Sequence, residues 1–428
     1  MTAENLRSLW WHTATHPPAT ARLDSSIAVN VAIVGGGFTG LTAALHLAER
    51  GRSVGVLEAE SLGAGASGLN AGFVVPNFAK ADPATVVRRL GEERGRALLD
   101  LVSRGGDRVF ETARTYAIDC DAAQTGWLQP AHSAAADEAA RVRAAFWLGL
   151  GRPVEHLDGE AVRRLTGIAG YRSALLDRSG GTIQPLSYLR GLARAAANLG
   201  AQIFEHAQVS SAQEDGAGWR LTCSEHSVTA GVVLLCTNAI VEGLGRRLAR
   251  TIVPLTVYQI ATEPMPAGIV QRIAPERMPV SDMRANLFTY RLDRDDRLIS
   301  GGMAILPPGA RARLAKAIAT RLAHELDLPR TPRVEYAWRG TAAMTTDFLP
   351  HLYELGPRFY GAIGCNGRGV AMTAMLGEVL ADAATGTALS ELPVPAASAS
   401  AIPFRPLAGA VASAALTHAR WQDWRASA

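Results

Sequence analysis

The fold of this 428-residue chain is decided by the stretch Val31-Ala-Ile-Val-Gly-Gly-Gly-Phe-Thr-Gly-Leu-Thr-Ala-Ala-Leu-His-Leu-Ala-Glu-Arg-Gly-Arg-Ser-Val-Gly-Val-Leu-Glu58. Its pattern predicts a buried strand, a glycine-rich turn, an amphipathic helix and a second buried strand that ends at an acid. Elements in this order are typical of a site for the ADP half of a dinucleotide.

Each glycine of the turn has a predicted role. Gly35 permits the tight turn out of the strand, Gly37 lets the backbone approach a pyrophosphate, and Gly40 lets the helix lie close to the sheet. The helix begins near Phe38 and Thr39, so its free N–H groups and positive dipole end would point at the phosphates.

The acid at the end of the second strand is Glu58, which Ala59 follows. A carboxylate at this position can accept hydrogen bonds from both hydroxyls of an adenosine ribose and would repel a 2′-phosphate. A cofactor of the NADP type is therefore disfavoured. Glycines also mark ordinary turns, but the agreement of strand, helix, second strand and acid favours a nucleotide site over a structural turn.

Composition narrows the class of protein. Hydrophobic residues make up 48% and charged residues 19% of the chain, which suits a compact protein with two domains. We find no apolar run long enough to span a membrane and no signal-peptide core, and we expect a cytoplasmic location. The net charge is only +4 without a long basic block, so nucleic-acid binding is disfavoured.

The cysteines and histidines do not predict a metal site. The four cysteines are widely spaced and form no C-x-x-C pair, so neither a disulfide framework nor zinc is indicated. His12 and His16 lie four residues apart, but no glutamate follows His12 as in a zinc-protease helix. We interpret both as surface residues of an N-terminal arm.

Four segments together resemble FAD-dependent oxidoreductases of the D-amino-acid oxidase type, and most of all the gamma-glutamylputrescine oxidoreductase-like amine oxidoreductases. The first segment is Val31–Glu58. The second is Gly63-Ala-Gly-Ala-Ser-Gly-Leu-Asn-Ala-Gly-Phe73, and the third runs from Ile183-Gln-Pro to Cys236-Thr-Asn-Ala239. The fourth comprises Trp338-Arg-Gly-Thr-Ala-Ala-Met-Thr-Thr-Asp-Phe-Leu-Pro350 and Tyr360-Gly-Ala-Ile-Gly-Cys-Asn-Gly-Arg-Gly-Val370.

The resemblance implies a set of cofactor contacts beyond the first segment. The second segment would run beneath the cofactor, and the third would meet the adenine edge and return the chain to the cofactor. The fourth would open a helix whose N-terminus faces the flavin pyrimidine ring, with an aspartate that holds the approach loop. The residues implied are Ala66, Ser67, Asn70, Ala71, Gly72, Val209, Thr237, Asn238, Asp347, Gly364, Asn366, Gly367, Arg368, Gly369 and Val370. Leu69 stands where the related enzymes often carry an arginine.

The implied fold is α/β (α+β), with a Rossmann-like FAD-binding domain that is discontinuous in sequence and an antiparallel-sheet substrate domain. We assign an N-terminal arm to residues 1–27 and a tail to residues 391–428. The FAD-binding domain takes residues 28–80, 155–245 and 335–390, and the substrate domain takes residues 81–154 and 246–334.

The chemistry implied is the flavin's own. A hydride leaves the carbon next to an amine for flavin N5, and water hydrolyses the resulting imine to a carbonyl. No catalytic side chain is predicted to be essential. His351 follows Asp347 closely and could reach the site, although a surface histidine is the simpler interpretation.

Substrate contacts are expected from the strands that the family places over the open face of the flavin. The candidates are Tyr258, Arg284, Phe288, Tyr290, Trp338 and Arg339. An arginine could bind a substrate carboxylate through two hydrogen bonds, with Arg284 and Arg291 ahead of Arg339. Each of these residues is also compatible with a core or surface role.

Two absences bear on reactivity. Related sarcosine oxidases hold FAD through a cysteine near the aspartate loop, and residues 338–350 contain none, which predicts non-covalent FAD. Those enzymes also use a lysine near the flavin to activate oxygen, and residues 251–305 contain none. A dehydrogenase or a weak oxidase is therefore compatible with the sequence.

The favoured function is oxidation of a gamma-glutamylputrescine-type or polyamine-type substrate. The alternatives are oxidation of a secondary, N-methyl or D-amino acid and, in another class, a redox-inert FAD-binding scaffold. We expect a small amine and oxygen or another electron acceptor as partners, no nucleic acid, and a monomer or homodimer.

Overall fold

The computed structural model describes residues 7–240, 243–304, 309–403 and 417–418. The helices are α1 Leu9–Thr13, α2 Phe38–Glu49, α3 Pro83–Leu90, α4 Glu92–Ser103, α5 Gly105–Thr115, α6 Ala134–Gly149, α7 Gly159–Thr166, α8 Pro185–Asn198, α9 Arg246–Ala249, α10 Ala267–Ile273, α11 Ala310–Glu325 and α12 Gly369–Ala384. No helix in these ranges is both long and apolar enough to cross a bilayer.

The strands fall into two large sheets and one short pair. They are β1 Ile27–Val34, β2 Val54–Leu57, β3 Phe73–Val74, β4 Trp127–Ala131, β5 Val154–Asp158, β6 Ser173–Asp177, β7 Gly181–Thr182, β8 Gln202–Phe204, β9 Val209–Asp215, β10 Gly218–Cys223, β11 His226–Leu235, β12 Val253–Pro264, β13 Val280–Ser281, β14 Thr289–Leu292, β15 Arg297–Met303, β16 Val334–Met344, β17 His351–Gly356, β18 Phe359–Ile363 and β19 Ala396–Ala397.

The first sheet has nine strands and a parallel centre. Its order is β19-β17-β18-β11-β1-β2-β8, and β10 and β9 continue from β11 as an antiparallel meander. Ile33 lies in register with Val56 on β2 and with Leu234 on β11. All three are buried, because helices cover one face of the parallel strands and the meander and loops cover the other. β11 is continuous from its antiparallel pairing with β10 to its parallel pairing with β1.

The glycine-rich turn leads into α2, which packs beside α8 and α12 on the first sheet. Leu41 and Leu45 of α2, Leu189 of α8 and Met375 of α12 are buried in one core cluster. Helix α8 begins at Pro185. The side chain of Gln184 caps it by accepting a hydrogen bond from the N–H of Ser187 at 2.7 Å.

The second sheet has eight strands in the order β16-β12-β15-β14-β13-β4-β6-β5 and is almost wholly antiparallel. Apolar residues on one of its faces pack with α7, α10 and α11. Residues on its other face belong to the core that it shares with the first sheet and its helices. Sequence regions far apart thus form one core between the sheets, and the predicted two-part mixed fold is confirmed.

Two predicted domain boundaries do not coincide with this division of strands. β6 belongs to the second sheet, although residues 155–245 are predicted to lie in the FAD-binding domain. β16 also belongs to the second sheet, although most of it lies within residues 335–390, which are predicted to belong to the FAD-binding domain. Strand patterns carry no mark of the sheet they join, since both sheets contain buried strands. Within the predicted tail, β19 pairs with β17, while residues 404–416 and 419–428 lie outside the described residues.

Candidate cofactor and substrate site

The loop between β1 and α2 brings backbone N–H groups and a hydroxyl together at a helix N-terminus. Gly37 is the N-cap residue of α2 and has no side chain to cap the helix. The Ser67 hydroxyl instead accepts a hydrogen bond from the N–H of Phe38 at 3.0 Å. A Cβ on Gly37 would lie 3.0 Å from that hydroxyl oxygen, so only glycine keeps this approach open. Thr39 follows in the first turn of the helix.

Gly35 and Gly40 are fixed by close backbone contacts. A Cβ on Gly40 would lie 2.1 Å from the carbonyl oxygen of Gly35, which confirms that only glycine lets the helix lie this close to the turn. Gly35 has φ +107°, and a Cβ there would lie 2.7 Å from the carbonyl oxygen of Cys236 at the end of β11. The turn is therefore packed against the neighbouring strand as well.

Glu58 lies at the end of β2, beside the same turn. Its carboxylate accepts hydrogen bonds from the N–H of Gly36 at 2.7 Å and from the N–H of Glu60 at 3.0 Å, while Ala59 between them is exposed. Burial raises the pKa of Glu58 above its usual range, although these two hydrogen bonds act in the opposite direction. The acid thus lies next to the helix N-terminus, at the distance along the chain expected for a ribose contact.

Hydrogen bonds from its own Asn70 hold the loop from Gly63 to Phe73 together. The Asn70 amide donates to the carbonyl oxygens of Ala66 and Ser67 at 3.2 and 2.8 Å, and its oxygen accepts from the N–H of Gly72 at 2.8 Å. Gly72 has φ +73°, and a Cβ there would lie 2.3 Å from the carbonyl oxygen of Ile183. This loop has a single fixed shape, set by side chains and glycines within it.

Three buried side chains from distant parts of the chain donate hydrogen bonds to backbone carbonyl oxygens of this loop. The indole of Trp10 donates to Asn70 O at 2.6 Å, and the indole of Trp338 donates to Leu69 O at 2.9 Å. Arg291 donates to the carbonyl oxygens of Ala71, Gly72 and Ile183 at 3.3, 2.8 and 2.7 Å. Its guanidinium also lies over the Trp10 ring, 5.6 Å from its centroid.

These clamping residues were not all foreseen. Trp338 was expected to line a substrate pocket and Arg291 to bind a carboxylate, whereas Trp10 was assigned to the N-terminal arm, packed against the domain without a role at the site. Burial lowers the pKa of Arg291 to about 10, and its hydrogen bonds to three carbonyl oxygens leave it committed to the loop. Adjacent tryptophans in a polar N-terminal stretch were the only sequence feature that could have indicated a buried anchor.

The third segment returns to the glycine-rich turn where β11 ends. Thr237 and Asn238 follow the strand, and Asn238 adopts a left-handed backbone with φ +50°. The hydroxyl of Thr237 is buried without a hydrogen-bond partner among the described residues. Val209 begins β9 two residues after Ala207, whose N–H donates to the carbonyl of Glu58 at 2.8 Å. The structure therefore brings Val209 and Thr237 to the same end of the sheet as the ribose acid.

The loop before α12 is built on a buried amide. The Asn366 oxygen accepts from the N–H of Thr345 at 2.8 Å, and its NH₂ group donates to Gly364 O at 2.7 Å. Gly364 has φ +99°, and a Cβ there would lie 2.7 Å from Leu349 O. Gly367 has φ +83° with open space above it. Arg368 is the N-cap of α12, and its side chain makes no capping hydrogen bond to the first turn, Gly369 and Val370.

Asp347 fixes the approach to this loop. Its carboxylate forms a hydrogen-bonded ion pair with His351 at 3.0 Å and accepts from the N–H of Leu349 at 3.1 Å. Its backbone oxygen accepts from Arg89 of α3. Burial raises the pKa of Asp347, but the hydrogen bond and charge of His351 outweigh burial and lower it to about 2. His351 is thus the partner of a structural carboxylate.

The geometry at the two helix N-termini fits FAD. Both α2 and α12 begin without a capping side chain from their N-cap residues, and the cradle at Gly37 would be filled by a Cβ. An unpartnered hydroxyl at Thr237 and the carboxylate of Glu58 add an available donor and acceptor at the same end of the sheet. Phosphates bind at such N-termini, and a ribose bonds to such an acid.

The predicted substrate residues do not share one face of the second sheet. The guanidinium of Arg284 pairs with Glu325 of α11 at 2.6 Å and with Asp282 at 3.3 Å. Phe288 and Tyr290 are buried in the cluster between the sheet and its own helices, where the Tyr290 hydroxyl donates to Ile273 O at 2.8 Å. These three side chains face away from the shared core, so the structure does not bring them together with the residues around the glycine-rich turn.

Tyr258 and Arg339 are also on the helix-covered face. Tyr258 lies in register with Gly302 on one neighbouring strand and with Arg339 on the other. A Cβ on Gly302 would contact Ile318 of α11 at 3.4 Å, so this row of side chains points toward α11. Among the six candidates only Trp338 faces the shared core. Successive side chains of a strand point to opposite faces of the sheet, and both faces of this sheet are buried. The hydrophobic pattern therefore does not show which alternate set of residues faces the shared core.

Comparison with known proteins agrees with this geometry. The family model described as "DAO: FAD dependent oxidoreductase" matches residues 30–383. The chain is 30% identical to gamma-glutamylputrescine oxidoreductase of Escherichia coli over 93% of its own length and 97% of that protein. It is 26% identical to glycine oxidase of Geobacillus kaustophilus over 82% and 92% of the two chains.

Solved structures show the same fold. L-proline dehydrogenase from P. horikoshii superimposes with a TM-score of 0.70, covering 88% of this chain and 96% of that one at 19% identity. The family match, the similar proteins and the N-terminus of α2 beside Glu58 lead to one conclusion: this chain belongs to the DAO family of FAD-dependent oxidoreductases.

Proposed function

We propose that this FAD-dependent oxidoreductase oxidises the C–N bond of an amine, and that its substrate is a gamma-glutamyl amine or a related polyamine derivative. The observation that carries the proposal is the 30% identity to gamma-glutamylputrescine oxidoreductase along nearly the whole of both chains. Because the matched region includes both large sheets, it covers the residues at the cofactor site and the sheet that faces them.

The division of labour in such a reaction is simple. FAD, when bound, supplies the hydride acceptor, and the product imine is hydrolysed by water. The protein has to orient the amine C–H bond and exclude water during transfer. The loop Leu69–Gly72, held by hydrogen bonds from Trp10, Trp338 and Arg291, provides a rigid and buried surface that could orient the amine and exclude water. The N-terminus of α12 would stabilise negative charge that develops on the cofactor ring.

Two properties of FAD binding and turnover belong to the same proposal. We expect non-covalent FAD, since residues 338–350 lack the cysteine used by related sarcosine oxidases. We also expect slow reaction with oxygen, since residues 251–305, which contain β12 to β15, lack a lysine. Oxygen or another compound is the electron acceptor in this proposal, and a cytoplasmic location stays a separate prediction.

A secondary or N-methyl amino acid, or a D-amino acid, is the second candidate substrate. The relationship to glycine oxidase at 26% identity supports it. An amino acid and a gamma-glutamyl amine differ in the distance between the carboxylate and the carbon that is oxidised. Both carry a carboxylate, which a simple polyamine lacks.

The deciding experiment is anaerobic mixing of the FAD-loaded protein with gamma-glutamylputrescine, putrescine, sarcosine, L-proline and several D-amino acids, with flavin absorbance as the readout. Bleaching by gamma-glutamylputrescine first and fastest is the expected result. Bleaching by an amino acid instead would establish the second candidate. Failure of every compound to reduce bound FAD would overturn the proposal and favour a redox-inert scaffold. Air admitted after bleaching then separates oxidase from dehydrogenase.

A further inference from the structure

One buried polar side chain of the second sheet has an unused hydrogen-bond acceptor. Gln259 lies in β12 and is only 9% exposed. Its amide oxygen is buried and accepts no hydrogen bond from any residue that the structure describes. A buried amide with an unused acceptor costs free energy, and such groups in protein interiors normally have a partner. The amide oxygen of Gln259 is therefore available to a ligand.

Strand alternation places Gln259 on the face of the second sheet that belongs to the shared core. Ala261, two residues further along β12, is buried in that core, whereas Ile260 between them is buried in the cluster beside α7, α10 and α11. On the neighbouring strand β15, Ile299 is buried in the shared core and Leu298 in the other cluster. Since successive side chains of a strand point to opposite faces, Gln259 faces the shared core.

The amide of Gln259 lies close to the loop that we expect to run beneath the flavin. Gln259 is in register with Trp338 on β16, and the Trp338 indole donates to Leu69 O in that loop at 2.9 Å. A Cβ on Gly340, two residues further along β16, would lie 3.4 Å from the same oxygen. Directly opposed residues of an antiparallel pair have Cβ atoms about 5 Å apart. Gln259 is thus one side chain away from the residue that holds the loop.

A glycine on the other side leaves room for the head group of Gln259. Gln259 is in register with Gly301 on β15. A Cβ on Gly301 would lie 2.6 Å from the amide oxygen of Gln259, 3.0 Å from its amide carbon and 3.0 Å from its amide nitrogen. The head group therefore packs directly over the bare backbone of Gly301, and this contact determines where the free oxygen lies.

We propose that the amide oxygen of Gln259 accepts a hydrogen bond from the amine nitrogen of the substrate, so that this residue selects compounds with an N–H group. The inference rests on the proposed function and deepens it. When the hydride leaves with both electrons of the C–H bond, the nitrogen lone pair becomes the second bond of the imine, and positive charge develops on the nitrogen. The N–H group then donates more strongly, so an acceptor held in place stabilises this charge more than it stabilises the starting amine.

The first test measures binding without turnover. The probe tert-butylamine has N–H groups but no hydrogen on the carbon next to nitrogen, so it cannot be oxidised by loss of a hydride. It is titrated at alkaline pH against the spectrum of the oxidised, FAD-loaded protein, and tert-butyl methyl ether, which has no N–H, is the comparison ligand. We expect the wild type to prefer the amine by about tenfold and Gln259→Leu to lose this preference. Absence of amine binding to the wild type, or an unchanged preference in Gln259→Leu, would overturn the proposal.

The two adjacent glycines of β15 provide a matched pair of variants. Gly301→Ala retains Gln259 but should displace its head group, because the three atoms nearest to the added Cβ belong to that head group. This variant should lose the preference for the amine as Gln259→Leu does, and the double variant should show no further loss. Gly302→Ala is the control, because its Cβ would contact Ile318 of α11 at 3.4 Å on the opposite face. Wild-type preference in Gly301→Ala would contradict the proposed contact.

Thermal melting of the apo-protein separates ligand binding from a structural role. Gln259→Leu replaces an unpaired buried amide with an apolar side chain of similar size, so we expect a melting temperature equal to or above that of the wild type. A clear fall would show that the amide has a structural partner and would overturn the proposal. The flavin-to-protein ratio of the variant is also measured. Loss of FAD from Gln259→Leu would make Gln259 a cofactor contact and would overturn the proposal as well.

Turnover separates this inference from the proposed function. With gamma-glutamylputrescine, Gln259→Leu should lower kcat/KM about tenfold or more. Binding of tert-butylamine that depends on Gln259, without reduction of FAD by any amine, would retain the amine contact and overturn the amine oxidation. Equal rates of FAD reduction by an amine in the wild type and in Gln259→Leu would retain the amine oxidation and overturn the contact.

Discussion

The guanidinium of Arg291 donates a hydrogen bond to the carbonyl oxygen of Gly72 at 2.8 Å, in a place where the arginine is 3% exposed. The two residues come from different parts of the fold: Arg291 lies on β14 of the second sheet, and Gly72 lies in the loop after β2 of the first sheet. The bond therefore couples the second sheet to the loop that was predicted to run beneath the flavin.

Replacement of this arginine should damage both stability and cofactor retention. Arg291→Met removes the side-chain donor to the carbonyl oxygens of Ala71 and Ile183 and leaves Gly72 O with only the N–H of Ile183, so we expect the free energy of unfolding to fall by about 3 kcal/mol. Urea unfolding of the apo-protein measures this loss, and the flavin content after gel filtration measures retention. Arg294→Gln is the control, since its side chain is 59% exposed. Wild-type stability in Arg291→Met would contradict the clamp.

Glu58 should set the affinity for FAD and its pH dependence. Glu58→Gln removes the charge that accepts the ribose hydroxyls, so the Kd for FAD should rise about tenfold or more. Burial raises the pKa of this acid in the apo-protein, whereas ribose binding favours its charged form. Wild-type affinity should therefore fall as the pH is lowered through that raised pKa, and the variant should show a flatter profile. Fluorescence titration of the apo-protein tests both, with exposed Glu60→Gln as the control.

Gly40 is a position where a single methyl group should be intolerable. A Cβ there would lie 2.1 Å from Gly35 O, which forces α2 away from the sheet. We expect Gly40→Ala to destabilise the protein by about 3 kcal/mol and to abolish FAD binding. Gly268→Ala in α10, where nothing lies within 4 Å of the added atom, should be neutral or slightly stabilising. Comparable melting temperatures for the two variants would refute the close approach.

The hydrogen bond between Asp347 and His351 should stabilise the loop before α12 in a pH-dependent way. The pKa of Asp347 is lowered from 3.8 to about 2, so its contribution is present above about pH 4 and is lost as the pH falls toward 2. The side chain is 32% exposed, and after solvent screening we expect on the order of 1 kcal/mol. Thermal melting of wild type and Asp347→Asn should differ near neutral pH and converge in acid. His351→Gln should produce a similar loss, and the double variant should not be additive.

The nucleotide half of the site could be predicted because its physical requirements are local. Gly35, Gly40 and Glu58 lie within one strand–helix–strand unit, and their spacing follows from the geometry of that unit. The remainder of the fold class came from resemblance between separate segments.

The substrate half could not be predicted because its determinants are not local. Whether Tyr290 or Arg291 faces the cofactor depends on a shift of one residue, and both lie on a strand that is buried on both faces. The partners of Trp10 and Trp338 lie in a distant loop, and no feature near these residues in the sequence identifies those partners. Pattern analysis therefore chose aromatic and charged residues of the wrong parity.

The bond between Trp338 and Leu69 joins residues that are 269 positions apart in the chain. During synthesis the glycine-rich turn emerges early, but the donor that holds Leu69 O emerges only after β16 has left the ribosome. Ordering the loop must therefore wait for an almost complete polypeptide, and contacts of such long sequence separation form slowly. We therefore expect the cofactor to bind late in the folding of each newly made chain. A chain truncated before residue 334 would keep the nucleotide motif but would lack the Trp338 hydrogen bond that orders the loop at Leu69.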